Sequence, residues 1–366
     1  MQSRYMEWAK TRSQARCNLA TSGIMNVPRA EFQLRIEDLE ITTSAEGYGY
    51  PPLQQRLARH TGAPEECIAA ATGTSMANHL AMAAVLAPGD EVVIEQPAYG
   101  PLLDVAEYLG ARVKRIARKF DTGFALDQVE LEKAMTPETR LIVLTNMHNP
   151  SGALLPAETL RAIGVVAQRA GARVLVDEVY LEMLFESAAP FCFSIGESLA
   201  GAGDNPFIVT SSLTKGYGLS GLRCGWVITS PELARRVWRL NDLFGSVAAH
   251  TAEKMSVMAF DYLERFRERA RAILAANRPL LDAFLDSRPD LECFRPPAGT
   301  VVFPRLIRGS SESFVALLRE KYETSVVPGT FFEMPQHFRI GIGGPTADLR
   351  EGLERLSGAL DAFAKR

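Results

Sequence analysis

The sequence lacks any apolar run near the ~18 residues that a membrane-spanning helix needs. Its opening, MQSRYMEWAKTRSQARCNLA, interleaves charges with aromatics and has no apolar run ahead of a small-residue cleavage site, so no signal peptide is expected. Cysteine is scarce. The five, Cys17, Cys67, Cys192, Cys224 and Cys293, include no C-x-x-C pair and no Cys/His cluster, which argues against structural zinc, a disulfide scaffold and secretion. Charge of one sign is missing too: 40 Lys and Arg face 43 Asp and Glu, for a net charge of −3. That balance suggests neither a nucleic acid nor a membrane as a partner held by bulk electrostatics. There is no repeat, no low-complexity segment and no linker rich in Gly, Ser or Pro. What remains is a chain of 366 residues, 47% hydrophobic and 23% charged, too long for one ordinary domain and comfortable for two. A cytoplasmic α/β protein is the expectation.

Six short, β-branched segments stand out as buried strands: 91–97, 111–116, 140–146, 172–178, 206–212 and 224–229. Helical patterns lie between them at 75–86, 100–109, 127–135 and 156–170. This alternation predicts βαβ units and a mostly parallel sheet flanked by helices. It lapses near residue 230, and from there to about 285 the pattern predicts long amphipathic helix, whose charged face is a solvated surface. The segments GTVVFPRL, SVVPG, HFRIGIGG and ADLREGLERLSGALDAFAK predict a smaller α/β unit at the C-terminal end. The expected division is an arm over 1–45 packed with the small unit, a large domain over 46–240 and a small domain over 241–366.

In α/β sheets, functional groups gather at the carboxyl ends of the strands. Four such ends carry unusual polar residues: Asn149 in NMHNPSG, Asp177 and Tyr180 in LVDEVY, Ser212, Lys215 and Arg223 in SSLTKGYGLSGLR, and Tyr99 in EQPAYG. A fifth element, ATGTSMANHLA, opens a helix with Gly73, Thr74 and Ser75, where free N–H groups and the helix dipole favour a phosphate. Together these groups suit a ligand with a phosphate, a cationic ring nitrogen, a stacking face and an electrophilic carbon. Pyridoxal 5′-phosphate has all four. Taken singly, Tyr99 also fits a core aromatic, and Arg339 in HFRIGIGG a structural ion pair.

The sequence resembles the pyridoxal-phosphate enzymes of fold type I, and among them the class I/II aminotransferases related to aspartate aminotransferase. The resemblance runs from about residue 46 to 366. It implies that Lys215 forms the Schiff base with the cofactor, that Ser212, Arg223 and Gly73-Thr74-Ser75 bind its phosphate, and that Asp177 meets the pyridine nitrogen. Tyr180 and Asn149 then hold the phenolic oxygen, Tyr99 stacks on the ring, and Arg339 grips the substrate α-carboxylate in two hydrogen bonds, with Asn149 also on the substrate side. It also implies a seven-stranded sheet and a homodimer in which Tyr48 of GYGYPP, or in its place Tyr50, reaches the neighbouring subunit's cofactor. Ser22-Gly23-Ile24 matches the segment that closes over the substrate. Leu102 stands where aspartate aminotransferases carry a histidine, and no arginine matches one for a distal carboxylate, so strict aspartate specificity is not implied.

The implied reaction is transfer of an amino group between an L-amino acid and a 2-oxo acid through a Lys215 internal aldimine, with Lys215 as base and its pKa depressed by burial. A C–S β-lyase or a decarboxylase would use the same Lys–Asp–Arg set. An aminotransferase-like regulator is disfavoured, because residues 1–45 leave no room for a winged helix. No metal site is expected. His148, His60, His79, His250 and His337 are expected to be structural or surface groups.

Overall fold

The computed structural model describes residues 2–33, 35, 38–39, 47–185, 191–200 and 204–365. Helix α1 (Arg4–Thr11) and strand β1 (Cys17–Asn18) come first, followed by α2 (Pro51–Thr61). Then strands and helices alternate: β2 (Ile68–Thr72), α3 (Gly73–Val85), β3 (Glu91–Gln96), α4 (Gly100–Tyr108), β4 (Arg112–Ala117), α5 (Gln128–Ala134) and β5 (Thr139–Thr145). The alternation continues through α6 (Ala157–Ala170), β6 (Arg173–Asp177), α7 (Cys192–Ala200), β7 (Phe207–Ser212), α8 (Leu213–Tyr217) and β8 (Cys224–Ile228). Strands β2 to β8 form one seven-stranded sheet in the order β2-β8-β7-β6-β5-β3-β4. Only β8 runs antiparallel to its neighbours. The mostly parallel α/β sheet expected from the sequence is therefore present.

Its central strands show why. Leu141 to Leu144 are fully buried, as a parallel strand covered by helices on both faces requires. Alternate residues feed two apolar layers, Ile142 and Leu144 into one and Leu141 and Val143 into the other. Each such side chain contributes about 1.5–3 kcal/mol when taken out of water. Strand β2, IAAAT, escaped the sequence pattern because alanine lacks the β-branching that marked the others. It forms the sheet edge by pairing with β8.

The long amphipathic helix expected from 230 to about 285 is present as three helices: α9 (Pro231–Phe244), α10 (His250–Phe260) and α11 (Leu263–Asp286). The first break follows Gly245, where Ser246 takes a left-handed φ of 54° and its carbonyl accepts from Asn241 Nδ2. The C-terminal part holds the pair β9 (Leu291–Glu292) and β11 (Arg305–Leu306), and a three-stranded sheet of β10 (Val301–Val302), β13 (Val327–Pro328) and β14 (Phe338–Gly341). Helices α12 (Ser311–Tyr322) and α13 (Thr346–Phe363) pack on it. Strand β1 pairs in parallel with β12 (Thr324–Ser325), and Gly341 N donates to Leu19 O. A Cβ at 341 would stand 1.8 Å from the Thr21 carbonyl, so only glycine lets the N-terminal segment cross this strand. The expected boundary at 45/46 lies outside the described residues.

Candidate active site

Side chains from four strand ends and from the start of α3 converge on one cavity. It is lined by Thr74, Ser75, Tyr99, Asn149, Asp177, Tyr180, Ser212, Lys215 and Arg223, all singled out from the sequence. Asp177 ends β6 and is buried. Val179 N donates to its Oδ1 at 3.1 Å, and Asn78 Nδ2 donates to its Oδ2 at 2.9 Å. The Asn78 amide is oriented by Thr210, whose hydroxyl donates to Asn78 Oδ1. Burial pushes the Asp177 carboxyl up to about 6, with the two donors and Lys215 pulling the other way. A buried carboxylate of this kind is short of a cation.

The phosphate side is built on α3. Gly73 takes a φ of +73°, and a Cβ there would lie 2.3 Å from Arg223 Nη2, so glycine is required for the guanidinium to lie against the helix start. Arg223 itself holds a left-handed φ of 53°. Ser212 caps α8 by accepting from Thr214 N, and it also accepts from the Thr74 hydroxyl at 2.8 Å. Thr74 and Ser75 at one helix start, Ser212 and Thr214 at another, and Arg223 therefore line one cavity, a donor set suited to an anion.

Lys215 sits in the short helix α8, and its Nζ donates to Ser22 Oγ at 3.0 Å. The Tyr180 hydroxyl donates to the same oxygen at 2.8 Å. Burial pulls the Lys215 amine below its ordinary range. Gly23 backs the Lys215 stem, and Ile24 N donates to the Lys215 carbonyl at 2.9 Å. Thus Gly23 and Ile24 support the lysine's main chain, while Ser22 is the residue that reaches the cavity. The Asn149 turn is anchored from below. Its N–H donates to Thr145 Oγ1, which donates to Glu95, and Glu95 pairs with Arg118 at 2.7 Å, both fully buried. His148 is buried between Ser151 Oγ and the Pro97 carbonyl, and so is structural. His60 is structural as well, paired with Glu182 at 3.0 Å.

Strand alternation sends Phe338 and Ile340 into the C-terminal core and turns Arg339 the other way. Arg339 is 1% exposed, yet no carboxylate lies within ion-pair distance of it among the described residues. Its hydrogen bonds go to neutral oxygens: Asn149 Oδ1 at 2.7 Å, Tyr5 OH at 3.1 Å and Ala20 O at 3.2 Å. Among the described residues, then, Arg339 forms no structural ion pair. Tyr48 lies elsewhere: it is 55% exposed, its hydroxyl donates to Asp242 Oδ2 at 2.9 Å, and it lines a separate hollow with Tyr50. Among the cavity residues that went unnoticed in the sequence are Tyr5, Met6 and Asn78. Asn78 left a signal, as a lone polar residue four positions after Thr74 on an otherwise apolar helix face.

The family profile described as "Aminotransferase class I and II" matches residues 19–356. The chain belongs to the class I and II aminotransferases. These are pyridoxal-phosphate enzymes of fold type I, which exchange an amino group between an amino acid and a 2-oxo acid. The aminotransferase is 30% identical to the arginine–pyruvate transaminase of Pseudomonas aeruginosa, over 86% of this chain and 82% of that protein. It is 27% identical to the capreomycidine synthase of Streptomyces vinaceus, over 98% and 94%. A crystal structure of a pyridoxal-phosphate-dependent aminotransferase from Streptococcus suis superposes with a TM-score of 0.89 at 27% identity, covering 99% of both chains.

Proposed function

We propose that Lys215, Asp177, Tyr180, Asn149, Tyr99, Ser212, Arg223 and the α3 start hold pyridoxal 5′-phosphate, and that Arg339 receives the substrate α-carboxylate. The observation that carries this reading is the convergence of these groups, from separate loops, on one cavity. The bound cofactor supplies an aldehyde for the amine and a ring that accepts electrons from the substrate α-carbon. Ionised Asp177 keeps a proton on the ring nitrogen, and its own buried charge is neutralised in return. The helix-start N–H groups, Ser212 and Arg223 meet the phosphate. Asn149 and Tyr180 hold the ring oxygen. Lys215 Nζ would be placed to move the α-proton, and burial, which pulls its pKa down, favours the unprotonated amine that this task needs. Ser22 keeps the amine aimed into the cavity meanwhile.

The same proposal includes the division at 46 and 241 and a homodimer that shares its sites through Tyr48 or Tyr50. In support, Tyr48 lies near a surface where Leu243 is 77% exposed and Val247 68%, large apolar areas that an isologous partner would cover. Sedimentation at micromolar concentration should give a dimer; a monomer there would remove this part.

The test of the reaction is spectral. In a screen of the twenty amino acids without an oxo acid, those that are substrates should make the holoenzyme lose its resting cofactor absorbance, accumulate the pyridoxamine form and release one equivalent of 2-oxo acid. Release of pyruvate or carbon dioxide with return of the resting spectrum would instead assign a lyase or a decarboxylase.

A further inference from the structure

Arg339 has a grip only half made. Of its five N–H groups, Nη1 gives one to Asn149 Oδ1, and Nη2 gives one each to Tyr5 OH and to the Ala20 carbonyl. Nε is buried without a partner. A guanidinium takes a carboxylate in two parallel hydrogen bonds, and both of its open edges include Nη2. A carboxylate arriving on either edge therefore meets an oxygen already there. The Ala20 carbonyl is main chain and can only accept. A phenol hydroxyl both accepts and donates, and it can turn its proton without moving the ring. Tyr5 is the member of this set that can change from accepting the guanidinium hydrogen to donating its own to an anion.

The surroundings hold it in place for that. Tyr5 is buried and lines the cavity together with Met6. Its ring stands edge-on to Tyr99, with centroids 5.4 Å apart, and to Phe331 at 5.7 Å. Helix α1, which carries it, is capped by Ser3, whose side chain accepts from Met6 N. The Tyr99 hydroxyl contacts Met6 Sδ at 3.5 Å, so α1 is tied to the wall of the cavity at two successive residues.

We infer that Tyr5 is a substrate-recognition residue, the third hydrogen-bonding group of the α-carboxylate site beside Arg339 and Asn149. This rests on the reading of Arg339 as the carboxylate receptor. The first segment of the chain thereby takes part in the recognition of amino and oxo acids, although it lies far in sequence from every other site residue.

Tyr5→Phe keeps the ring contacts and removes only the hydroxyl. Holoenzyme would be titrated with the two amino acids that react fastest among the twenty, following loss of cofactor absorbance. The half-saturation concentration should rise about tenfold or more, the loss expected of a hydrogen bond to a charged group, with little change in the limiting rate. The corresponding amino-acid amides, tested as competitors of the parent acids, lack the anion and should bind wild type and Tyr5→Phe equally. Arg339→Lys, run alongside, separates the two ideas. If Arg339→Lys weakens binding and Tyr5→Phe does not, the Tyr5 inference falls and the Arg339 reading stands. If neither weakens it, or no amino acid reacts, both fall. An equal loss with the amides would assign Tyr5 to packing and overturn the inference.

Discussion

At the edge of the large sheet, Asp177, Ser212 and the Asn149 turn are each fixed by close neighbours. Asp177 is held by Asn78 and Val179, Ser212 by Thr74 and Thr214, and the Asn149 turn by Thr145 above the Glu95–Arg118 pair. Across the cavity, the N-terminal segment contributes Tyr5 and Ser22 through one or two hydrogen bonds each, made to residues of other elements. The edge is a rigid frame whose charges are set by burial, while the segment is laid over it and reaches the lysine and the arginine from outside. Chemistry should therefore depend steeply on the frame and binding on the segment.

The sharpest break in that contrast should come from Asp177. Asp177→Asn cannot keep the ring nitrogen protonated, so turnover should fall by orders of magnitude with the cofactor still attached at neutral pH; near-normal turnover would place the nitrogen's partner elsewhere. The wild-type pH dependence has a definite sign. The Asp177 carboxyl, raised by burial from 3.8 to about 6, is protonated below that value and ionised above it. Cofactor affinity of the apoprotein should accordingly fall about tenfold per pH unit below 6, and this slope should vanish in Asp177→Asn. Titrating apoprotein with cofactor between pH 5 and 7 measures it.

A smaller change is expected from the segment. Ser22→Ala removes the oxygen shared by Lys215 and Tyr180, two hydrogen bonds of about 0.5–1.5 kcal/mol each. The rate of the half-reaction should drop about tenfold or less; a loss as deep as that of Asp177→Asn would erase the distinction between frame and segment.

The smallest effect concerns the frame's stability. Glu178 is buried, its Oε1 accepting from Cys192 N at 2.9 Å, and burial pushes its carboxyl from 4.5 up to about 8. Between those values the folded chain holds a proton that the unfolded chain gives up. Stability is therefore lost as pH rises from 4.5 through 8, and the loss is complete above that. Glu178→Gln should raise the thermal midpoint by a few degrees at pH 8 and leave it nearly unchanged at pH 4.5. Equal midpoints at both values would mean that Glu178 carries no buried charge.

The frame was legible in the sequence because its residues follow β-branched strands at short, fixed spacings, as Asp177 to Tyr180 and Ser212 to Lys215 do. Strand β2 was not, since an alanine run has neither a strand signature nor a clear period. The break after Gly245 depends on one residue's left-handed backbone, which leaves the helical pattern on either side intact. The segment was legible least. Tyr5 meets Arg339 across 334 positions and Ser22 meets Lys215 across 193, and no local pattern encodes pairings of that length. Asn78 lies between these cases: it meets Asp177 across 99 positions, yet its place on an apolar helix marks it as unusual.

The account stands on Lys215 as the residue that carries the cofactor, and one measurement tests it. Holoenzyme reduced with borohydride, digested and mapped should carry its pyridoxyl label on Lys215 alone, and Lys215→Ala treated in the same way should carry none. A label on any other lysine of the native enzyme would contradict the account.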